Sequence, residues 1–341
     1  MTKFNRHLKD SSYPRTAVLI VGVLAMEIGF IFSYVGGLTK PYPHHVPFGI
    51  VGPSGLDTLL AAKIKSAGTQ FDPIIISSEK KANTALLSNN VDAYALIKGS
   101  SVSVMVSGAP SPAVSLAIQE AVNQLVHETG VKAQVHVVNG LPDSDPEGLG
   151  PFYLVVGWVV GGYLVASALG LARGTEPRLK QALLRSAVLL VFAFFSAVFG
   201  ILMVRNGLHL FQGNVFELIL IGILVVYSVA ITSSALQGLV GDLGIALSVI
   251  LFVIIGNPSS GGPFPRAFLS GIWRYIGYYI PTGAGLQGIR NIAYFQDANF
   301  LGPVWVLLIY VIIALPVFLL ASEHHGKKLG SGTRNPSVEK N

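Results

Sequence analysis

Apolar residues in this chain gather into runs. A bilayer core takes about 20 mostly apolar residues per helix. Six runs approach that length: 16–38, 152–172, 182–204, 215–236, 239–256 and 303–322. The fifth starts directly after the fourth, which puts 237–242 at a surface turn. A further stretch, 267–280, is too short and too rich in tyrosine and glycine to cross alone. The pattern predicts a polytopic α-helical membrane protein with six transmembrane helices. The first run is longer than the roughly 7–15 apolar residues of a secretory signal, so it reads as an anchor.

The pattern changes between 39 and 150. Residues 46–51, 71–76, 91–97, 102–106 and 131–138 read as strands. Leu56, Leu59, Leu60 and Ile64 make one helical face. Ser78 is placed to cap a helix running to about Leu87, and 111–127 is a long amphipathic helix. The order β-α-β-α-β-β-α-β predicts an α/β layer inserted between transmembrane helices 1 and 2. Residues 139–150, with their prolines, glycines and the acids Asp143, Asp145 and Glu147, read as a solvated hinge back to the membrane.

Composition agrees: 51% of residues are hydrophobic and only 12% charged, against about 25% charged in a typical soluble domain. The net charge of +6 is mostly topological. Lys3, Arg6, Lys9 and Arg15 precede the first run; Arg173, Arg178, Lys180 and Arg185 lie between the second and third; Lys327, Lys328, Arg334 and Lys340 follow the last. The connection between runs three and four has only Arg205, and that between five and six has Arg266, Arg274 and Arg290. The positive-inside rule then puts both termini, 1–15 and 323–341, in the cytoplasm and 39–150 outside a plasma membrane. That outer segment is net −2, and no nucleic-acid patch stands out.

Candidate chemistry is sparse. Cysteine is absent, which excludes disulfides and thiolate metal sites. No Gly-x4-Gly-Lys-Ser/Thr phosphate loop occurs, so the chain is not itself a P-loop ATPase. Ser54, in Gly-Pro-Ser-Gly, lacks the spacing of a nucleophile elbow. His44 and His45 have no third ligand at a suggestive spacing and read as linker, with no metal site; no catalytic residue and no cofactor is expected. His127 and His136 read as surface or core residues. Glu27 stands near the centre of the first run, where a charge costs about 2.5–3.5 kcal/mol on insertion scales. It is expected to face the bundle or a cavity, as part of a substrate or proton path or as a structural hydrogen-bond partner. Gly157, Gly161 and Gly162 form a small-residue stripe suited to close helix packing, within one chain or at a dimer seam. Arg205 and Glu217 are placed to pair, Asp242 falls at the cytoplasmic edge, and Arg290 is placed to snorkel or to pair with Asp297. Glycines and prolines at 257–265 cannot continue a helix. Irregular backbone at membrane depth survives only where protein or a wet cavity surrounds it, so 257–300 is read as re-entrant. Trp273, Tyr275, Tyr278 and Tyr279 suit an interfacial belt.

One span, a large outer α/β domain and then five spans resembles the permease subunit of type 2 ABC exporters, in the YhgE/phage-infection-protein-like branch. Two stretches carry the resemblance. In the first, Gly52-Pro53-Ser54-Gly55 leads into a helix; Ile76-Ser77-Ser78-Glu79-Lys80-Lys81-Ala82 and 86–97 come after it. The second is Asn257-Pro258-Ser259-Ser260-Gly261-Gly262-Pro263 with Pro265, Trp273-Arg274, Ile280-Pro281 and Gly288-Ile289-Arg290-Asn291. It looks like the re-entrant segment before the last span of such permeases. The resemblance implies export of an amphipathic or lipid-like substrate by a homodimer or pseudo-dimer in contact with membrane lipid. It also implies a separate ATPase chain, touched by a coupling segment at Arg178, Lys180 and Arg185. The rival reading is a non-transporting receptor or scaffold of the cell envelope that acts through the outer domain.

Overall fold

A computed structural model describes residues 12–332 apart from 40, 100, 130–131 and 296–297. Lys3, Arg6, Lys9, Asp297, Arg334 and Lys340 lie outside the described residues. Helix α1 (Ser12–Leu38) comes first. Next are β1 (Val46–Val51), α2 (Leu56–Ala67), β2 (Phe71–Ile75), α3 (Glu79–Leu87), β3 (Ala93–Lys98), β4 (Ser101–Ser107), α4 (Pro112–Thr129) and β5 (Lys132–Val138). After them come α5 (Gly150–Arg173), α6 (Leu179–Leu202), α7 (Val215–Val240), α8 (Leu243–Ser259), α9 (Gly271–Ile276), α10 (Pro281–Tyr294) and α11 (Leu301–Gly332).

Five of these, α1, α5, α6, α7 and α11, are long and apolar enough to cross a membrane. The chain is a polytopic helical membrane protein. The fifth expected run divides. Leu239 and Val240 complete α7, Gly241 ends it at φ 64°, and α8 begins at Leu243. Helix α8 contains a π-helical stretch, Ile250–Ile255. At 1.5 Å per residue it spans about 25 Å, short of the roughly 30 Å hydrocarbon core.

In the α/β unit the sheet order is β2-β1-β3-β4-β5, with only the β3–β4 pair antiparallel. Right-handed crossovers dictate where the helices go. The steps β1→β2 and β2→β3 run in opposite directions across the sheet, so α2 and α3 fall on opposite faces. Strand β4 is reversed, so the crossover to β5 returns α4 to the face of α2. Side-chain packing agrees: Val46, Phe48, Ile50, Val104 and Val106 meet Ile64, Val114 and Ile118, while Val51, Tyr94 and Leu96 meet Ala82 and Leu86 of α3. Ser78 caps α3, its side chain accepting from the Lys81 N–H at 3.3 Å.

Helix α7 is the axis of the helical part. It is apolar on every side, the signature of a buried helix, and it packs against α5, α6, α8, α10 and α11. Over its most apolar window 56% of the residues are buried, against 11% for α1. Asn214 caps it by accepting the Phe216 N–H at 3.0 Å. Gly162 lets α5 approach closely: a Cβ there would lie 2.9 Å from the Val226 carbonyl oxygen.

Candidate functional site

The segment after α8 is built by its glycines and prolines. The helix stops at Ser259 and the chain turns at Gly261, whose φ of 86° and approach to Arg266 exclude a larger residue. A 3-10 turn (Arg266–Phe268) and the short α9 come next, then α10 opens with Pro281 at its first turn, where a missing N–H costs nothing. Helix α10 is about 21 Å long, too short to cross, yet eleven of its 14 residues are buried. It sits between α5, α7 and α11.

Three arginines organise this segment. Arg290 is buried and donates to the carbonyls of Gly261 (2.8 Å), Gly262 (3.1 Å) and Gly148 (3.3 Å). It clamps the turn rather than snorkelling, because three carbonyls that a helix cannot satisfy converge on it. Arg266 donates to the Gly277 carbonyl (3.3 Å) and to Gln287 Oε1 (2.6 Å), and lies 4.1 Å over the Tyr278 ring. Arg274 lies 5.0 Å over the Tyr275 ring and donates one N–H to its hydroxyl at 3.2 Å. Its Nε and other terminal nitrogen are buried with no hydrogen-bond partner among the described residues.

The α/β unit sits on this segment. The Tyr42 N–H donates to the Phe268 carbonyl (3.2 Å) and the His44 N–H to the Ala267 carbonyl (2.8 Å). Phe264 and Phe268 pack into the core that β1 and β3 share with α4. Asn89, beyond α3, donates to Asn291 Oδ1 at 3.0 Å, and Gln287 donates to the same oxygen at 2.8 Å. Between unit and segment lies a cavity of about 810 Å³. His44, Asn89 and Asp92 line it from the α/β side; Arg266, Arg274, Gln287 and Arg290 line it from the other. Exposed Tyr275, Tyr278 and Tyr279 border it, and Pro303 and Val306 of α11 continue its wall. Burial pushes the Asp92 carboxyl up to about 7. Burial first, then the charges of Arg274 and His45, hold the His44 imidazole below its ordinary value. His45 pairs with Asp72 at 3.0 Å on the surface.

Of the expected site residues, Gly261 and Arg290 line this cavity. Gly262 and Pro281 are buried and do not line it; a Cβ on Gly262 would enter the Phe152 ring. Asn257 donates to the Tyr34 hydroxyl at 3.1 Å and, with Pro258 packed beside Gly37, docks α1 on α8. Arg266 enters the sequence reading only as a topological charge, and Arg274 only as that and as part of the Trp273-Arg274 pair in the resemblance. Their signal was present: 243–296 holds these arginines with Arg290 and not one acidic residue.

Other expectations are corrected. Glu27 is exposed and does not face the bundle. Helix α1 touches its neighbours along one stripe, through Gly29, Ser33 and Gly37, and Glu27 is rotated off it. The glycine stripe divides: Gly162 meets α7, whereas Gly157 has nothing within 4 Å and Gly161 meets only the edge of Phe192 at 3.8 Å. Arg178 and Lys180 are exposed at the start of α6, but Arg185 is buried. Its guanidinium donates to Gln237 Oε1 at 2.9 Å and to the Ala166 carbonyl, tying α6 to α7 and α5. Asp145 is no solvated hinge acid. It is buried, accepts the Leu149 and Gly150 N–H groups at the start of α5, and takes a 2.6 Å hydrogen bond from the Tyr294 hydroxyl. Arg205 donates to the Gly213 carbonyl at 2.7 Å, while Glu217 accepts from Asn214 at 3.2 Å.

The fold therefore defines the class: a helical membrane protein carrying an α/β unit docked over a short buried helix. No protein-family model, no curated protein and no solved structure matches the chain.

Proposed function

We propose that the chain is the permease subunit of a type 2 ABC-like exporter, moving an amphipathic or lipid-like substrate outward across the plasma membrane. In this reading α8, about 5 Å shorter than the hydrocarbon core, crosses as a sixth span by thinning the bilayer locally, both termini are cytoplasmic, and the α/β unit lies outside. The observation that carries it is the short buried helix α10, hung between α9 and α11 and lining the 810 Å³ cavity. A buried helix too short to cross, beside an open cavity lined by polar groups, fits a transport path better than a structural span. Energy comes from a separate ATPase, for which exposed Arg178 and Lys180 offer a contact. The exposed side of α1, with Glu27 among Val23, Leu24 and Ile28, fits a second copy.

The test is ATP-dependent uptake of an amphipathic dye into inverted membrane vesicles, with identification of copurifying chains in mild detergent. Uptake that needs this chain, with an ATPase bound to it, is expected. No uptake and no ATPase would sink the reading. Glu27→Gln should lower dimer yield.

A second reading, a receptor or scaffold, draws on a different feature. An apolar groove of about 330 Å³ lies among Phe48, Ile64, Phe71 and Ile118, near edge strand β2 with exposed Ile74 and Ile75. Capture of a cell-envelope protein through this groove, with no uptake, would favour that reading.

A further inference from the structure

The cavity's charge is uneven. Three arginines line it, and Asp92 is the one carboxylate among the described residues that does. Two of the three are already engaged. Arg290 holds three carbonyls, and Arg266 holds a carbonyl, Gln287 and the Tyr278 ring. Arg274 is different. It spends one N–H on Tyr275, and among the described residues its Nε and other terminal nitrogen have no partner, where Arg290 leaves only its Nε. Charged donors without an acceptor are expensive, and each of these two N–H groups, on different edges of the guanidinium, can take an oxygen of an oxyanion once the side chain turns to the cavity.

The surroundings add the rest of a ligand. Tyr275, Tyr278 and Tyr279 offer exposed rings and hydroxyls beside Arg274, suited to headgroup depth. Leu286, Phe295, Pro303 and Val306 add apolar surface to the wall, interleaved with Gln287, Asn291 and Asn299. A volume of about 810 Å³ exceeds what a phosphate needs and leaves room for the next part of a larger molecule.

We infer that this cavity binds the phosphate headgroup of an amphipathic ligand, with Arg274 as the direct anion contact. Arg266 and Arg290 shape the turn and supply the surrounding positive field. The apolar surface of Pro303 and Val306 on α11, with Leu286 and Phe295, takes the adjoining hydrocarbon. The inference rests on the permease reading and deepens it by naming the chemical class of the cargo; the binding itself is measured apart from transport.

The test uses the full chain in phosphatidylcholine nanodiscs. Phosphatidic acid, extra phosphatidylcholine and inorganic phosphate are added separately, with bound lipid counted by native mass spectrometry and melting followed in parallel. Wild type should retain phosphatidic acid about tenfold over phosphatidylcholine. Arg274→Gln should lose that preference while melting as wild type without ligand. Arg274→Lys should keep part of it, since a point charge replaces a fork. Arg173→Gln, at an exposed position on the far side of the bundle, should keep all of it. A melting rise with inorganic phosphate that Arg274→Gln abolishes would support the oxyanion contact and assign the source to a free anion. No such rise, with lipid retained, assigns it to the headgroup. Undiminished phosphatidic acid on Arg274→Gln, or no preference in wild type, overturns the inference. If Arg274→Gln fails to fold, Arg274→Lys decides, and full retention there counts against it. Retention without dye uptake would leave this inference standing and sink the permease reading; uptake without retention would do the reverse.

Discussion

The α/β unit and the helical bundle both bury a core, but they report it differently in the sequence. In the unit, water is the alternative to the core, so apolar and polar positions alternate and each face can be read. In the bundle, lipid is the alternative, and hydrocarbon is as apolar as leucine. Helices α1 and α7 illustrate the consequence. Both are apolar enough to cross, yet α7 is the axis of the bundle and α1 is nearly all exposed. In such helices the informative positions are the small and the polar ones: Gly162 against Val226, Ser33 against Ile254, Arg185 against Gln237.

The difference can be broken by mutation. The largest effect is expected in the unit. Ile50 is fully buried in β1, and Ile50→Ala should cost about 2–5 kcal/mol, read as loss of cooperative melting of the unit. A cost well below 1 kcal/mol would mean that β1 is not central. Next comes Gly162→Val, which pushes α5 off α7 and should cost about 1–3 kcal/mol. Gly157→Val should melt as wild type, since a Cβ there would meet no other element within 4 Å among the described residues. Equal losses at the two glycines would contradict the packing.

Asp145→Ala removes the acceptor for Leu149, Gly150 and Tyr294 and should cost about 1–2 kcal/mol. Asp92 gives a pH signature. Its folded pKa of about 7 lies above the unfolded value of about 3.9, so the native state holds the proton longer. The stability it contributes is complete below pH of about 4 and is lost as pH rises through about 7. Melting temperature should therefore fall from pH 5 to 8 by a component that Asp92→Asn removes; an equal slope in the variant assigns the fall elsewhere. The smallest effect is expected at the exposed Glu79–Lys98 pair, 3.1 Å apart. Lys98→Met should stay within about 1 kcal/mol of wild type by chemical denaturation.

The order of elements in the α/β unit was legible, with boundaries within a residue or two, because alternation of 2 and 3.6 residues and the Ser78 cap are local signals. The Asp145 site was not, because its partner Tyr294 lies 149 positions away. Arg185 was hidden in a basic stretch that reads as cytoplasmic surface. Its spacing with Ala182, Ser186 and Leu189, all buried, marks the inner face of α6 and was the available clue. Glu27 was misread because an apolar helix does not declare which side packs. The cavity arises from segments far apart in sequence, so only the acid-free stretch with its three arginines hinted at it.

The central claim is that the α/β unit sits directly on α10 and encloses the cavity with it. The absence of cysteine makes this easy to measure. Asn89→Cys with Asn291→Cys places two thiols where the side chains meet at 3.0 Å. A short methanethiosulfonate linker should join them nearly completely, as it should the control pair Lys98→Cys and Ser101→Cys, register partners in β3 and β4. Linkage of the control pair with none between 89 and 291 would contradict the docking, and with it the site.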